Sequence, residues 1–190
     1  KPKKKIGKPK KFYTTVIKYC AEFVKMIFHI KLDLRGLEKM PQENFLFVSN
    51  HQSNMDPVLE VWAFNKYKLA FIMKESIMKV PVLGRCLYGG GFLPLDRQHN
   101  RKALITISTA IDKIKNNYHP MAVYPEGTRS KGPKIGEFRN GVFKIAEKSH
   151  CPIVIVITDN GYKVKNHFPF RSTKVLIEVV DVLYYNDYKD

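Results

Sequence analysis

Cysteine is scarce in this chain. Cys20, Cys86 and Cys151 are its only cysteines, an odd number with no Cys-x-x-Cys spacing. A disulfide framework or a thiolate zinc site does not fit that pattern, and a reducing compartment is the simpler reading. Long apolar runs are missing too. No 18-residue stretch is free of charge, so the sequence offers no membrane-spanning helix. Gly89-Gly90-Gly91 is present, but not the Gly-x-Gly-x-x-Gly order of dinucleotide sites. No internal repeat, low-complexity tract or interdomain linker interrupts the chain after its first eleven residues. No signal peptide with a cleavage site is visible, although a sequence that opens on Lys1 leaves the question of a leader open.

Acidic residues are outnumbered, with 17 against 33 lysines and arginines, for a formal charge of +16. Seven of those charges are Lys1, Lys3, Lys4, Lys5, Lys8, Lys10 and Lys11, which leaves +9 for the remainder. Such a balance points to an anionic partner, either nucleic acid or an acidic membrane surface. Near an anionic bilayer each basic residue adds about 1 kcal/mol of attraction. The stretch from Phe12 to Ile30 favours the membrane. Lys11, Lys18, Glu22, Lys25 and His29 recur at helical intervals as one polar stripe. Phe12, Val16, Tyr19, Cys20, Phe23, Met26, Ile27 and Ile30 cover most of the remaining circumference. That is the pattern of a helix lying in the interface, and it predicts a monotopic protein.

Strand and helix signals then alternate. Leu32 to Leu37 reads as an edge strand. Phe45 to Ser49, Leu69 to Met73, Met121 to Tyr124, Ile153 to Thr158 and Val175 to Val180 read as further strands. Helices are expected over Pro57 to Lys66, Arg101 to Asn116 and Gly141 to Lys148. The sum, with 44% hydrophobic residues in 190, predicts one α/β core with a largely parallel central sheet flanked by helices.

The most informative stretch is Asn50-His51-Gln52-Ser53-Asn54-Met55-Asp56-Pro57. Asp56-Pro57 has the form of a helix start, with Asp56 as N-cap and Pro57 as the first helical residue. Positions five apart on a continuous helix would diverge by about 140°. His51 is therefore expected in the strand-to-helix loop, folded back onto Asp56. A carboxylate there fixes one ring nitrogen and leaves the other as a general base. Later come Phe92-Leu93-Pro94-Leu95-Asp96-Arg97, then Tyr124-Pro125-Glu126-Gly127-Thr128-Arg129-Ser130, then the proline-opened strand Cys151-Pro152-Ile153-Val154-Ile155-Val156.

Four such blocks in this order resemble the glycerolipid acyltransferase family typified by lysophosphatidate acyltransferase, over roughly residues 12–185. His51 and Asp56 match its His-x4-Asp motif, Asp96-Arg97 ends its second block, and Tyr124 to Ser130 matches its Pro-Glu-Gly-Thr-Arg-Ser block. The departures are Ile155, where a second proline is common, and Arg139-Asn140, where Lys-Pro is frequent.

The resemblance implies direct transfer of an acyl group from a thioester to the sn-2 hydroxyl of lysophosphatidate, with no metal and no cofactor. Either acyl carrier protein or coenzyme A would deliver the acyl chain. His51 would act as base and Asp56 would hold it, while Ser49, Ser53 and Ser130 serve as ordinary loop hydroxyls. Arg97 and Arg129 are the first choices for the acceptor phosphate, because a guanidinium pairs with two phosphate oxygens. Lys74 is a third candidate cation. Glu126 is expected to orient Arg129 or the acceptor hydroxyl, with the Gly127-Thr128 backbone close to phosphate or oxyanion.

These readings divide the chain into residues 1–31, a basic terminus with a membrane-associating helix, and 32–190, an acyltransferase domain on the cytoplasmic face of a membrane. Glycerol 3-phosphate or a head-grouped lysophospholipid are the alternative acceptors. A basic nucleic-acid-binding module or a non-catalytic membrane-adhering protein are the alternatives of another class. Nucleic acid is not expected as a partner, because either alternative would leave the four blocks unexplained.

Overall fold

The structure is a computed structural model that describes residues 8–96 and 98–189. Lys1, Lys3, Lys4, Lys5 and Arg97 of the readings above therefore lie outside the described residues.

Among the described residues seven strands form one sheet: β1 (Ile30–Arg35), β2 (Leu46–Ser49), β3 (Ala70–Lys74), β4 (Leu93–Leu95), β5 (Met121–Val123), β6 (Ile153–Asp159) and β7 (Thr173–Leu183). Their order across the sheet is β1-β7-β6-β2-β5-β3-β4. Every neighbouring pair is parallel except β6 and β7, which run antiparallel. Five strands therefore share one direction and β7 with β1 opposes it. The largely parallel sheet expected from the sequence is present. The reversal was not legible, because strand direction leaves no mark in a hydrophobic run.

The helices are α1 (Lys11–Ile27), α2 (Asp56–Ala63), α3 (Glu75–Met78), α4 (Leu83–Gly89), α5 (Asn100–Lys115), α6 (Lys144–Ser149), α7 (Val164–His167) and α8 (Tyr185–Tyr188). Alternation along the central strands builds a core on each face of the sheet, since successive side chains point to opposite sides. Phe45, Phe47, Ala122, Val154 and Val156 join Leu59 and Phe64 on the α2 side. Leu46, Val48, Met121, Val123 and Ile153 meet Ala110 and Ile114 of α5 and Ile145 of α6 on the other. Cys151 is buried in that second core, and burial pushes its thiol up. Strand β4 and helix α4 escaped the sequence reading. Three residues, one of them proline, carry too little periodicity to declare a strand.

Helix α1 packs on α2 and α4 through a face that includes one member of the polar stripe. Lys25, which the polar stripe would send to solvent, lies 3.8 Å over the ring of Trp62 and pairs with Glu22 at 3.1 Å. Phe12, Tyr19, Phe23 and Met26 face outward, each more than half exposed. No helix among the described residues is long and apolar enough to cross a membrane. The contact with α4 depends on glycine. A Cβ on Gly89 would stand 2.0 Å from the Tyr13 ring, and one on Gly90 would stand 2.5 Å from Ile17. The glycine run is thus a flat seat for α1.

Gly89→Ala should therefore displace the Tyr13 ring and cost about 1–3 kcal/mol, as overpacking does. Urea denaturation should show a lower midpoint with an unchanged slope.

Candidate active site

The parallel strands β2, β3, β4, β5 and β6 end at one edge of the sheet, where ligands bind in open α/β folds. The segments that follow β2 and β5 carry the His51 and Glu126 motifs and meet there. The chain leaves β2 at Ser49, and Asn50 keeps the strand pairing going with its side chain. Its amide donates to the Thr158 carbonyl at 2.9 Å and accepts from the Thr158 N–H at 2.8 Å. With that anchor set, residues 51–55 turn sharply into α2.

One oxygen organises the turn. Asp56 Oδ2 accepts from the backbone N–H of Gln52 at 2.6 Å and of Ser53 at 2.7 Å, and it contacts His51 Nδ1 at 2.9 Å. Oδ1 accepts from the Ser53 hydroxyl at 2.8 Å. The expected fold-back of His51 onto Asp56 is present. The expected helix cap is not: Asp56 is the first residue of α2, Met55 holds the cap position, and no side chain caps the helix. The carboxylate reaches upstream to the loop because its donors lie there. Since Oδ2 can only accept, Nδ1 carries the ring proton and Nε2 keeps the lone pair. Nε2 has no hydrogen-bond partner among the described residues, and the side chain is 17% exposed.

The second motif grips the backbone of His51 from both sides. Glu126 Oε1 accepts from the His51 N–H at 2.6 Å, and the Ser130 N–H donates to the His51 carbonyl at 2.8 Å. Glu126 Oε2 accepts from the Gly136 N–H at 2.7 Å. Glu126 is thus a buried strut between two loops, and its oxygens serve backbone donors rather than Arg129. Arg129 is exposed and donates to Asn54 Oδ1 at 2.7 Å. Gly127 has φ +69, a conformation that favours glycine, and a Cβ there would sit 3.4 Å from Arg139 Nε. Thr128 is exposed beside it, and Lys74 is exposed at the end of β3. Ser130 bonds the Gly132 carbonyl at 2.9 Å, as an ordinary loop hydroxyl does.

Several site residues went unread in the sequence. Tyr124 stacks on the His51 ring, with centroids 4.0 Å apart and planes within 7°. Its hydroxyl donates to Glu60 at 2.7 Å, in the interior, where burial pushes the phenol well above its ordinary range. Glu60 lies one helical turn after Asp56, and that spacing was its only signal. Arg139 showed itself only as a departure from the common Lys-Pro. No group of three or more acidic, histidine or cysteine side chains among the described residues could hold a metal ion.

The acyltransferase family profile matches residues 31–158. A chloroplast 1-acyl-sn-glycerol-3-phosphate acyltransferase of Brassica napus is 33% identical over 147 residues, covering 76% of this chain and 42% of that protein. The 1-acyl-sn-glycerol-3-phosphate acyltransferase of Helicobacter pylori is 29% identical over 136 residues, covering 71% of this chain and 56% of that one. The chain thus spans about half the length of these relatives. The crystal structure of the 1-acyl-sn-glycerophosphate acyltransferase PlsC of Thermotoga maritima superposes with a TM-score of 0.78 at 27% identity. That match covers 93% of this chain and 71% of the other.

A Cβ on Gly161 would stand 2.4 Å from Asp56 Oδ1, and the hydrogen bonds to that carboxylate leave it nowhere to go. Gly161→Ala should therefore displace Asp56 and lower turnover about tenfold or more, as misplaced catalytic groups do. Steady-state kinetics on the folded variant checks this.

Proposed function

The chain belongs to the acyltransferase family, and on that premise we propose that it moves a fatty acyl group from a thioester to the sn-2 hydroxyl of lysophosphatidate, giving phosphatidate. The observation that carries the chemistry is the contact of His51 Nδ1 with Asp56 at 2.9 Å, which leaves Nε2 free. The names of the relatives support the choice of acceptor.

In this reading Nε2 takes the proton of the acceptor hydroxyl as its oxygen attacks the thioester carbonyl. Asp56 holds the ring and stabilises the imidazolium that forms. A tetrahedral intermediate collapses with loss of the thiolate, which recovers the proton from His51. The new C–O bond replaces the C–S bond, and no serine or cysteine intermediate is involved. Arg129, at the mouth of the loop, binds the acceptor phosphate together with Arg97, and Lys74 adds positive charge. The Gly127-Thr128 backbone is the candidate for holding the oxyanion. The donor is an acyl thioester of coenzyme A or acyl carrier protein.

The protein works as a monotopic enzyme at the cytoplasmic face of an anionic membrane. The outward Phe12, Tyr19, Phe23 and Met26 of α1 support this, with Lys8, Lys10 and Lys11 exposed beside them. Apolar area enters the lipid while lysines meet head groups.

His51→Ala should lower phosphatidate formation from lysophosphatidate and palmitoyl thioester in mixed micelles by about 10²- to 10⁴-fold. Arg129→Ala should chiefly raise KM for lysophosphatidate, and equal activity on acceptors lacking the phosphate would remove Arg129 from that role. Replacing Phe12 and Phe23 by glutamate should release the chain from anionic vesicles in a flotation assay. Flotation unchanged by those substitutions would discard α1 as the anchor.

A further inference from the structure

Asp56 and Glu60 stand one turn apart on α2, both completely buried, yet only Asp56 touches His51. Glu60 has no ion-pair partner among the described residues. Three hydroxyls surround it instead: Ser49 at 2.6 Å and Thr158 at 2.8 Å address Oε1, and Tyr124 at 2.7 Å addresses Oε2. Burying a carboxylate without a cation is costly, so such a group tends to keep its proton. Burial first, and the nearby Asp56 second, push the Glu60 carboxyl up to about 8. The protonated carboxyl can donate its hydrogen bond to the Ser49 oxygen, because the Ser49 hydroxyl has a second acceptor in the Asn50 carbonyl at 3.3 Å.

What Glu60 holds is the Tyr124 ring, and what lies on that ring is His51. A hydrogen bond to Nδ1 fixes one edge of an imidazole but leaves it free to roll about the bond axis. The Tyr124 face, parallel to within 7° at 4.0 Å, removes the roll. Tyr124 is itself stacked with Phe71 at 5.1 Å, so its plane is set by packing and its in-plane position by the Glu60 hydrogen bond. Given the general-base reading above, on which this rests, we infer that Glu60 is a positioning residue for His51. By tethering Tyr124 it fixes the surface on which the imidazole lies, and so aims Nε2 at the acceptor hydroxyl.

The charge state of Glu60 has a consequence in pH. The titratable groups around it are Asp56 on its own helix, Tyr124 after β5 and His51 after β2, while Ser49 and Thr158 bring only hydroxyls. Glu126 lies beyond His51, occupied with backbone donors. Ionisation near pH 8 therefore adds a second buried negative charge beside Asp56. Stability should fall with it. Between the ordinary glutamate value of 4.5 and about 8 the folded chain holds a proton that the unfolded chain has lost. Stability thus declines as pH rises through that window.

The decisive experiment reads the His51 ring without substrate. The ring protons of histidine-labelled chain are followed by NMR, with His51 assigned through His51→Ala and the unstacked position defined by Tyr124→Leu. Glu60→Ala should move the His51 signal toward the Tyr124→Leu position, whereas Glu60→Gln, which keeps a neutral hydrogen-bonding group, should hold it at the wild-type position. The wild-type titration should carry an inflection near pH 8 that Glu60→Gln removes.

A Glu60→Ala signal that stays at the wild-type position, or an inflection that persists in Glu60→Gln, overturns the assignment. Should Glu60→Ala fail to fold, Tyr124→Phe takes its place, since it keeps the ring but removes its hydroxyl from Glu60, and a His51 signal left at the wild-type position then overturns it. In turnover, Glu60→Ala should lose about tenfold or more in kcat with KM little changed, and Glu60→Gln should restore most of it. A chain that gives the expected NMR pattern but no phosphatidate would refute the substrate reading and leave the role of Glu60 standing.

Discussion

A single carboxylate oxygen, Asp56 Oδ2, sets the geometry on which the site depends. It gathers the Nδ1–H of His51 and two successive backbone N–H groups within 2.9 Å. Any one of these bonds is worth about 1.5–3 kcal/mol when an ionised acceptor takes part. Together they do more than stabilise, because they bend residues 51–55 into a loop with only one place for the histidine. The buried side chain of Asp56 needs these donors as much as the loop needs the acceptor. Gly161 completes the enclosure by leaving no side chain where the carboxylate must sit.

The cage is built by segments distant in sequence. Asn50 ties the loop to β6 through Thr158, and Glu126 and Ser130 hold the two backbone polar groups of His51. The Pro-Glu-Gly-Thr-Arg-Ser block thus contributes scaffolding as well as the exposed Arg129. Glu126 illustrates how a charged residue in a motif can also hold the backbone around a site. Its oxygens serve backbone donors on two loops, so truncating it would loosen the histidine before it touched any ligand. The interior layer of Ser49, Glu60, Thr158 and Tyr124 lies beneath, joined by hydroxyl-to-carboxyl hydrogen bonds. Low dielectric makes such a layer costly to leave half satisfied, which ties its members together.

Helix α1 obeys a different economy. Its basic Lys25 rests over Trp62, while its aromatic residues remain outside. A helix docked only to fill a core would bury the aromatics and expose the lysine. The seat of Gly89 and Gly90 brings it close to α4 through Tyr13 and Ile17, and Phe12, Tyr19, Phe23 and Met26 stay on the outward face.

Much of this protein was legible in the order of its residues. Short apolar runs marked β2, β3, β5, β6 and β7, because strands covered on both faces are apolar throughout, and alternation marked the edge strand β1. The five-residue interval from His51 to Asp56 spoke against a shared helical face and pointed to a loop in which the histidine folds back. Other features were decided only in three dimensions. The antiparallel turn of β7, the short β4, the outward face of α1 and the strut role of Glu126 depend on which segments become neighbours. Glu60 is the plainest case. Its identity and its turn-distance from Asp56 were in the sequence, but a carboxyl kept neutral by burial and aimed at Tyr124 arises only once β2, β5 and β6 close around it. Local pattern fixes periodicity and spacing; desolvation and partner choice belong to the packed whole.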